Sequence, residues 1–245
     1  MKRYLIVGDV HGCFEELREL CDVAALGESD VLVSVGDLVD RGPQPVETVR
    51  FFRERAGSVV LMGNHERKHV RGVLSYSQEI TREQFRAQGG DAAYHDAVRW
   101  MSALPYFFEN EHVRVVHAAM VPGTPFSGQR EDVLAGTTSG SRALAELMGP
   151  SERHWHELYE DPKPVVFGHH VVGPEALVRE GKVYGLDTGA CHGMRLTALS
   201  VPDFRIYSVP SRTDHWREVK RSWAAPMLRA RPFASYSWPK LGEEL

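Results

Sequence analysis

The sequence predicts an α/β fold, and three features predict it. Short β-branched apolar runs alternate with stretches of helical periodicity. Each of the first three runs ends in glycine beside an ionisable or amide residue. No internal repeat and no long linker divides the 245 residues, a length that suits one large core with insertions.

Residues 3–7 form the first apolar run, residues 8–12 a glycine-flanked loop, and Phe14, Leu17, Leu20, Cys21 and Ala24 follow at helical spacing. The pattern repeats with a run at 31–35, a loop at 36–42 and a helix at 43–55 that turns Val46, Val49 and Phe52 inward. Pro43 or Pro45 suits its first turn. A third run, 59–62, ends at Gly63 and Asn64. Strands alternating with helices make a sheet whose ligands gather beyond the carboxyl ends of its strands, where these polar residues fall.

From 67 to 110 the periodicity is helical and reads as a helical insertion. Residues 113–116 form a strand ending at His117, and 165–167 another ending at Gly168, His169 and His170. Between them, 118–163 reads as a loop insertion, rich in Gly, Ser, Thr and Pro, around a short helix at 141–148. Runs at 182–186, 196–201 and 204–209 predict a meander of successive strands. Residues 1–210 are thus expected to form one domain, and 211–245 a tail packed on it, with Trp216, Trp223, Tyr236 and Trp238 wrapping its own domain.

Composition narrows the function. With 29 Lys and Arg against 33 Asp and Glu the formal net charge is −4, so no general affinity for nucleic acid is expected. No apolar stretch approaches a membrane span, and the N-terminal apolar run is too short for a secretory signal. Cys13, Cys21 and Cys191 are odd in number and form no C-x-x-C pair, which argues for a reducing compartment and a cytoplasmic location.

The chemistry lies in the loops. Hydrolysis of a phosphate ester at neutral pH needs a hydroxide and positive charge around the phosphoryl oxygens, and two metal ions supply both. Gly8-Asp9-Val10-His11-Gly12, Gly36-Asp37-Leu38-Val39-Asp40-Arg41-Gly42, Gly63-Asn64-His65-Glu66, then His117 and His169, offer ligands that can converge on one sheet edge. Carboxylate, amide and imidazole donors together suit Mn²⁺, with Fe, Co²⁺ or Zn²⁺ as alternatives, better than Ca²⁺. A single Asp-x-His is more often a capping Asp and a surface His; three such motifs in order, each at a strand end, outweigh that reading.

These motifs resemble the signature of the PPP family of calcineurin-like metallophosphoesterases over residues 4–201. The resemblance implies a β-sandwich of two mixed sheets flanked by helices, with the metals at its upper edge. It implies that Asp9, His11 and His169 hold one metal and Asn64 and His117 the other, with Asp37 bridging. His65 would be the general acid, Asp40 the carboxylate that orients it, and Arg41 the grip on the substrate phosphate. A planar guanidinium suits phosphate oxygens, and an Asp-His pair keeps an imidazole aimed.

The run 184–191 followed by 195–199 resembles small bacterial members of the family, including diadenosine tetraphosphate hydrolases. Asp40-Arg41-Gly42 and Asn64-His65-Glu66 look more like the protein phosphatase branch. A dinucleoside polyphosphate is therefore the expected substrate, a phosphoprotein Ser/Thr phosphatase the alternative, and a non-catalytic scaffold of the same fold the remote one. Retention of six ligands with His65 and Arg41 argues against the scaffold.

Other signals carry less. Arg142 and Arg153 are candidates for a second phosphate-binding Arg, and His170 for a substrate contact or a structural His. Residues 136–141 could cradle a phosphate but read better as a loop with a Ser cap. Trp155, with His154, His156 and Tyr159, could stack on a base but reads better as packing. Asp187 to Gly189 should shape a turn beneath the site, and Cys191 should be a small buried hydrophobe.

Overall fold

The computed structural model describes residues 2–149 and 153–230. The chain opens with β1 (Tyr4–Val7), α1 (Phe14–Val23), β2 (Val31–Ser34), α2 (Pro45–Glu54), β3 (Val59–Val60) and α3 (Asn64–Val70). There follow α4 (Tyr76–Met101), β4 (Phe107–Glu109), β5 (Arg114–Val116), α5 (Glu131–Leu134) and α6 (Thr138–Met148). The last part holds β6 (Val165–Phe167), β7 (Leu177–Arg179), β8 (Val183–Gly185), β9 (Arg195–Val201), β10 (Arg205–Pro210) and α7 (His215–Ala230).

Two mixed five-stranded sheets face each other, ordered β10-β9-β1-β2-β3 and β4-β5-β6-β8-β7. Strand β1 shows how the sequence builds them. Its side chains alternate across the sheet, so Ile6 enters the layer between the sheets with Val33, Val115, Val166 and Leu199. Leu5 and Val7 face the other way, onto Leu17 and Leu20 of α1 and Val49 and Phe52 of α2. Strands β1, β2 and β3 run parallel, as do β5, β6 and β8. The chain therefore leaves β1, β2, β3, β5 and β6 at one edge of the sandwich.

Four sequence expectations are corrected. The helical periodicity of 67–110 stops at Met101, and Phe107–Glu109 is an edge strand; Phe108 packs inward while Phe107 stacks on Phe126 at 4.2 Å. Its partly exposed Phe-Phe-Glu lacks the buried apolar run that marks β5 and β6. The expected meander is broken, because β8 belongs to the second sheet, between β6 and β7, and the chain crosses to the first sheet before β9. Strand β7 is hidden by its short, partly exposed sequence. Helix α6 begins at Thr138 rather than 141, because the Thr137 hydroxyl, not a serine, caps it by accepting from Gly140 N.

Helix α4 is interrupted at Gly89 and Gly90, the latter at φ +68°. Helix α7 packs Val219 and Met227 on Ile80 of α4, and Trp216 meets Tyr76. Tyr236 and Trp238 lie outside the described residues. Among the described residues, no helix is long and apolar enough to cross a membrane.

Candidate active site

Loops after β1, β2, β3, β5 and β6 bring Asp9, His11, Asp37, Asn64, His117 and His169 to one place. Asp37 sits at the centre: its Oδ2 lies 3.6 Å from His11 Nε2, and its Oδ1 lies 3.5 Å from His117 Nε2. The amide oxygen of Asn64 lies 3.2 Å from His117 Nε2 and 2.9 Å from His169 Nδ1. Both oxygens of Asp9 accept from the His169 backbone N–H at 3.0 Å. The family resemblance groups His169 with Asp9 and His11. Instead its ring lies with Asp37, His117 and Asn64, and only its backbone meets Asp9. Strand order cannot reveal that, because the turn after Gly168 decides which way the ring points.

The loops are held in costly conformations. His11, Asp37, Asp40, Arg41 and His169 all have positive φ, between 46° and 69°. Non-glycine residues in this region are strained by order 1 kcal/mol or more each and cluster where function fixes them. Glu66 over-determines the arrangement: its buried carboxylate accepts from the N–H groups of Asp37, Leu38, Val39 and Gly63. At Gly136, φ is +64°, and a Cβ would stand 2.7 Å from His169 Cε1, so the loop can press against that ring only as glycine.

The electrostatics fit divalent cations. Burial and the charges of Asp187 and Asp37 push the Asp9 carboxyl well up, and burial pushes Asp187 up to about 6. These acids repel one another until a cation neutralises them. Burial also raises Asp37, but His117, His65, His11 and His169 outweigh it and hold it low. Burial lowers His11 and His117 and takes His169 down to about 4. The imidazoles are thus neutral near pH 7, the form that can donate a lone pair to a metal.

His65 stands beside this cluster. Its Nδ1 lies 2.6 Å from Asp40 Oδ2, which leaves Nε2 facing Asp37 at 3.9 Å. Asp40 is fully buried and also bonded by His69 Nε2 at 2.9 Å and by the Gln78 amide. Burial opposes its charge, yet His69 and His65 hold the carboxyl well below the usual range. His69 and Gln78 were missed by sequence reasoning; the available signal is that His69 lies one helical turn after His65. Arg41 Nη1 lies 3.1 Å from His11 Nε2; burial opposes its charge, and the neighbouring Cys191, Asp37 and Asp9 outweigh that and favour it.

Arg142 and His170 are exposed, and Arg153 donates to the Glu157 carbonyl at 2.6 Å. Trp155 and Tyr159 are buried with Val165 and Phe167, which leaves no aromatic face for a base there, whereas His154 and His156 stack on each other at 5.3 Å. Asp187 turns the chain by accepting from Gly189 N.

A two-sheet sandwich with buried carboxylates and neutral imidazoles at its strand ends defines a metal-dependent phosphoester hydrolase. The chain belongs to the calcineurin-like phosphoesterase family, matched over residues 2–193. It is 28% identical, over 84% of its length and 93% of the relative's, to an asymmetrical bis(5'-nucleosyl)-tetraphosphatase, PrpE, of Halalkalibacterium halodurans. A symmetrical bis(5'-nucleosyl)-tetraphosphatase of Aromatoleum aromaticum is 32% identical over 62% of this chain and 58% of its own. Among solved structures, a candidate diadenosine tetraphosphatase superposes with a TM-score of 0.68 at 28% identity, covering 86% of this chain and 94% of that one. A Saccharomyces cerevisiae protein serine/threonine phosphatase, at 15% identity and a TM-score of 0.58 over 86% and 79%, shares the fold. The family implies divalent metal ions, and the donors described fit them.

Proposed function

We propose that this protein hydrolyses dinucleoside polyphosphates such as diadenosine tetraphosphate, using two divalent metal ions, Mn²⁺ foremost. The observation that carries the reading is the convergence of Asp9, Asp37 and neutral His11, His117 and His169 beside Arg41 and His65. The names of the tetraphosphatase relatives support the choice of substrate. When bound, the metals activate water and absorb charge on the phosphoryl oxygens.

Asp9 and His11 would hold one ion, Asn64, His117 and His169 the other, with Asp37 bridging. This chain's own groups do the rest. Arg41 receives the phosphoryl oxygens in a guanidinium fork. Asp40, bonded to His65 Nδ1, fixes the ring so that Nε2 presents its proton to the leaving oxygen. His69 and Gln78 hold Asp40 in turn. The free, buried thiols of Cys13, Cys21 and Cys191 suit a cytoplasmic enzyme.

Turnover of diadenosine tetraphosphate against a phosphoserine peptide, with Mn²⁺ or Co²⁺, tests the reading. We expect kcat/KM for the nucleotide to exceed that for the peptide by at least about tenfold, the order that differential binding of one substrate supplies. The reverse preference would make the enzyme a phosphoprotein phosphatase.

A further inference from the structure

A groove of about 290 Å³ opens beside the metal-ligand cluster and serves no step described so far. One wall is α3 with its C-cap Arg71, where Asn64, Arg67, Lys68 and Arg71 follow at helical spacings of three and four and so share a face. At 1.5 Å per residue this stripe runs about 10 Å from Asn64. The opposite wall is Gly136, Thr137, Thr138 and Ser139, at the start of α6.

The three cations are uncommitted. Among the described residues, none of Arg67, Lys68 and Arg71 makes a side-chain hydrogen bond or ion pair, and Arg67 Nε is enclosed without an acceptor. Asp132 feels the charge of Arg67, but its carboxylate is already bonded by Arg130 and Ser139. Across the groove, the Thr138 and Ser139 amides belong to the first turn of α6, an eleven-residue helix, where backbone N–H groups have no intrahelical acceptor. A run of positive charge that begins at a metal-ligand candidate and leads away from it is longer than one phosphomonoester needs.

We propose that this groove binds the phosphates of a linear polyphosphate chain that lie beyond the phosphoryl group under attack. The proposal rests on the polyphosphate reading above and adds the residues that would distinguish a chain from a single phosphate. Arg67 and Lys68 take the phosphate next to the reacting one, and Arg71 the one after it.

The test uses the Mn²⁺-loaded full chain, with metal in excess, and inhibition of aryl phosphate hydrolysis by inorganic tripolyphosphate and by orthophosphate. In the triple variant Arg67→Gln, Lys68→Gln, Arg71→Gln, the Ki for tripolyphosphate should rise roughly 10-fold to 100-fold, since each screened cation-phosphate contact contributes a few-fold. The Ki for orthophosphate should move by less than about 2-fold. Arg71→Glu, at an exposed position, provides a second variant with the same ranking should the triple one fold poorly. Equal shifts for both inhibitors would overturn the groove as a chain subsite. Loss of affinity for an acidic phosphopeptide, with tripolyphosphate unaffected, would overturn it in favour of a peptide groove. If tripolyphosphate behaves as expected but diadenosine tetraphosphate is not turned over, the subsite stands and the nucleotide reading falls.

Discussion

The carboxylate of Asp40 lies 2.6 Å from His65 Nδ1 and is itself fully buried, so the imidazole is held by a charge that water cannot screen. In the proposed mechanism His65 Nε2 is the proton donor to a leaving oxygen. A general acid matters most for a strongly basic alkoxide, as from phosphoserine, and least for a weakly basic phosphate. His65→Asn should lower turnover of a phosphoserine peptide by about 100-fold to 10,000-fold and that of diadenosine tetraphosphate and aryl phosphates by much less. The ratio of the losses is the readout; equal losses would assign His65 to binding.

Asp40 also ties acid stability to this network. Its folded carboxyl is held well below the unfolded value of ~3.9, so its contribution is fully present above that pH and is lost as pH falls through the folded value. Asp40→Asn should cost about 3 kcal/mol at pH 7, the lower range for breaking a buried ion pair. Urea unfolding of the chelator-stripped proteins should show this gap narrowing below about pH 4. A gap independent of pH would place the cost in packing rather than charge.

Much of the site is legible in the amino-acid sequence. The ligand loops can be read because each follows an apolar strand and most carry glycine, so Asp9, Asp37, Asn64, His117 and His169 stand out by place as well as type. What cannot be read is set by rotation or long-range contact. The ring of His169 turns toward Asn64, and Glu66 reaches 27 to 29 residues back to the amides of residues 37–39. His69 stands in plain view at helical spacing, but its meaning depends on Asp40, 29 residues earlier. Strands β4 and β7 escape notice because they are short, partly exposed edge strands without the buried apolar run that marks β6 and β8.

The proposed role of Arg41 is to contact phosphate rather than to hold metal. Arg41→Ala should raise KM and lower kcat, with a combined loss of about 2 to 4 kcal/mol in kcat/KM, while metal content is unchanged. Metal analysis of the purified variant checks this, and a loss of metal would mean that the guanidinium holds His11 in place.

Gly136→Ala probes the packing behind His169. The new methyl group would meet His169 Cε1 at 2.7 Å in a left-handed backbone, a combined strain of roughly 2 to 4 kcal/mol. We expect weaker metal affinity and at least about tenfold lower activity at limiting Mn²⁺, recovered in part at high Mn²⁺. Unchanged metal dependence would show that the loop can move away from the ring.

The most direct test of the account is metal content and activity, measured together, for the native protein and Asp37→Asn. Chelator-stripped native protein should be inactive and regain full activity as it takes up Mn²⁺ or Co²⁺. Asp37→Asn, whose amide cannot balance the charge of two cations, should bind less metal and lose at least about 100-fold in turnover. Full activity after stripping, or near-native metal content and rate in Asp37→Asn, would contradict it.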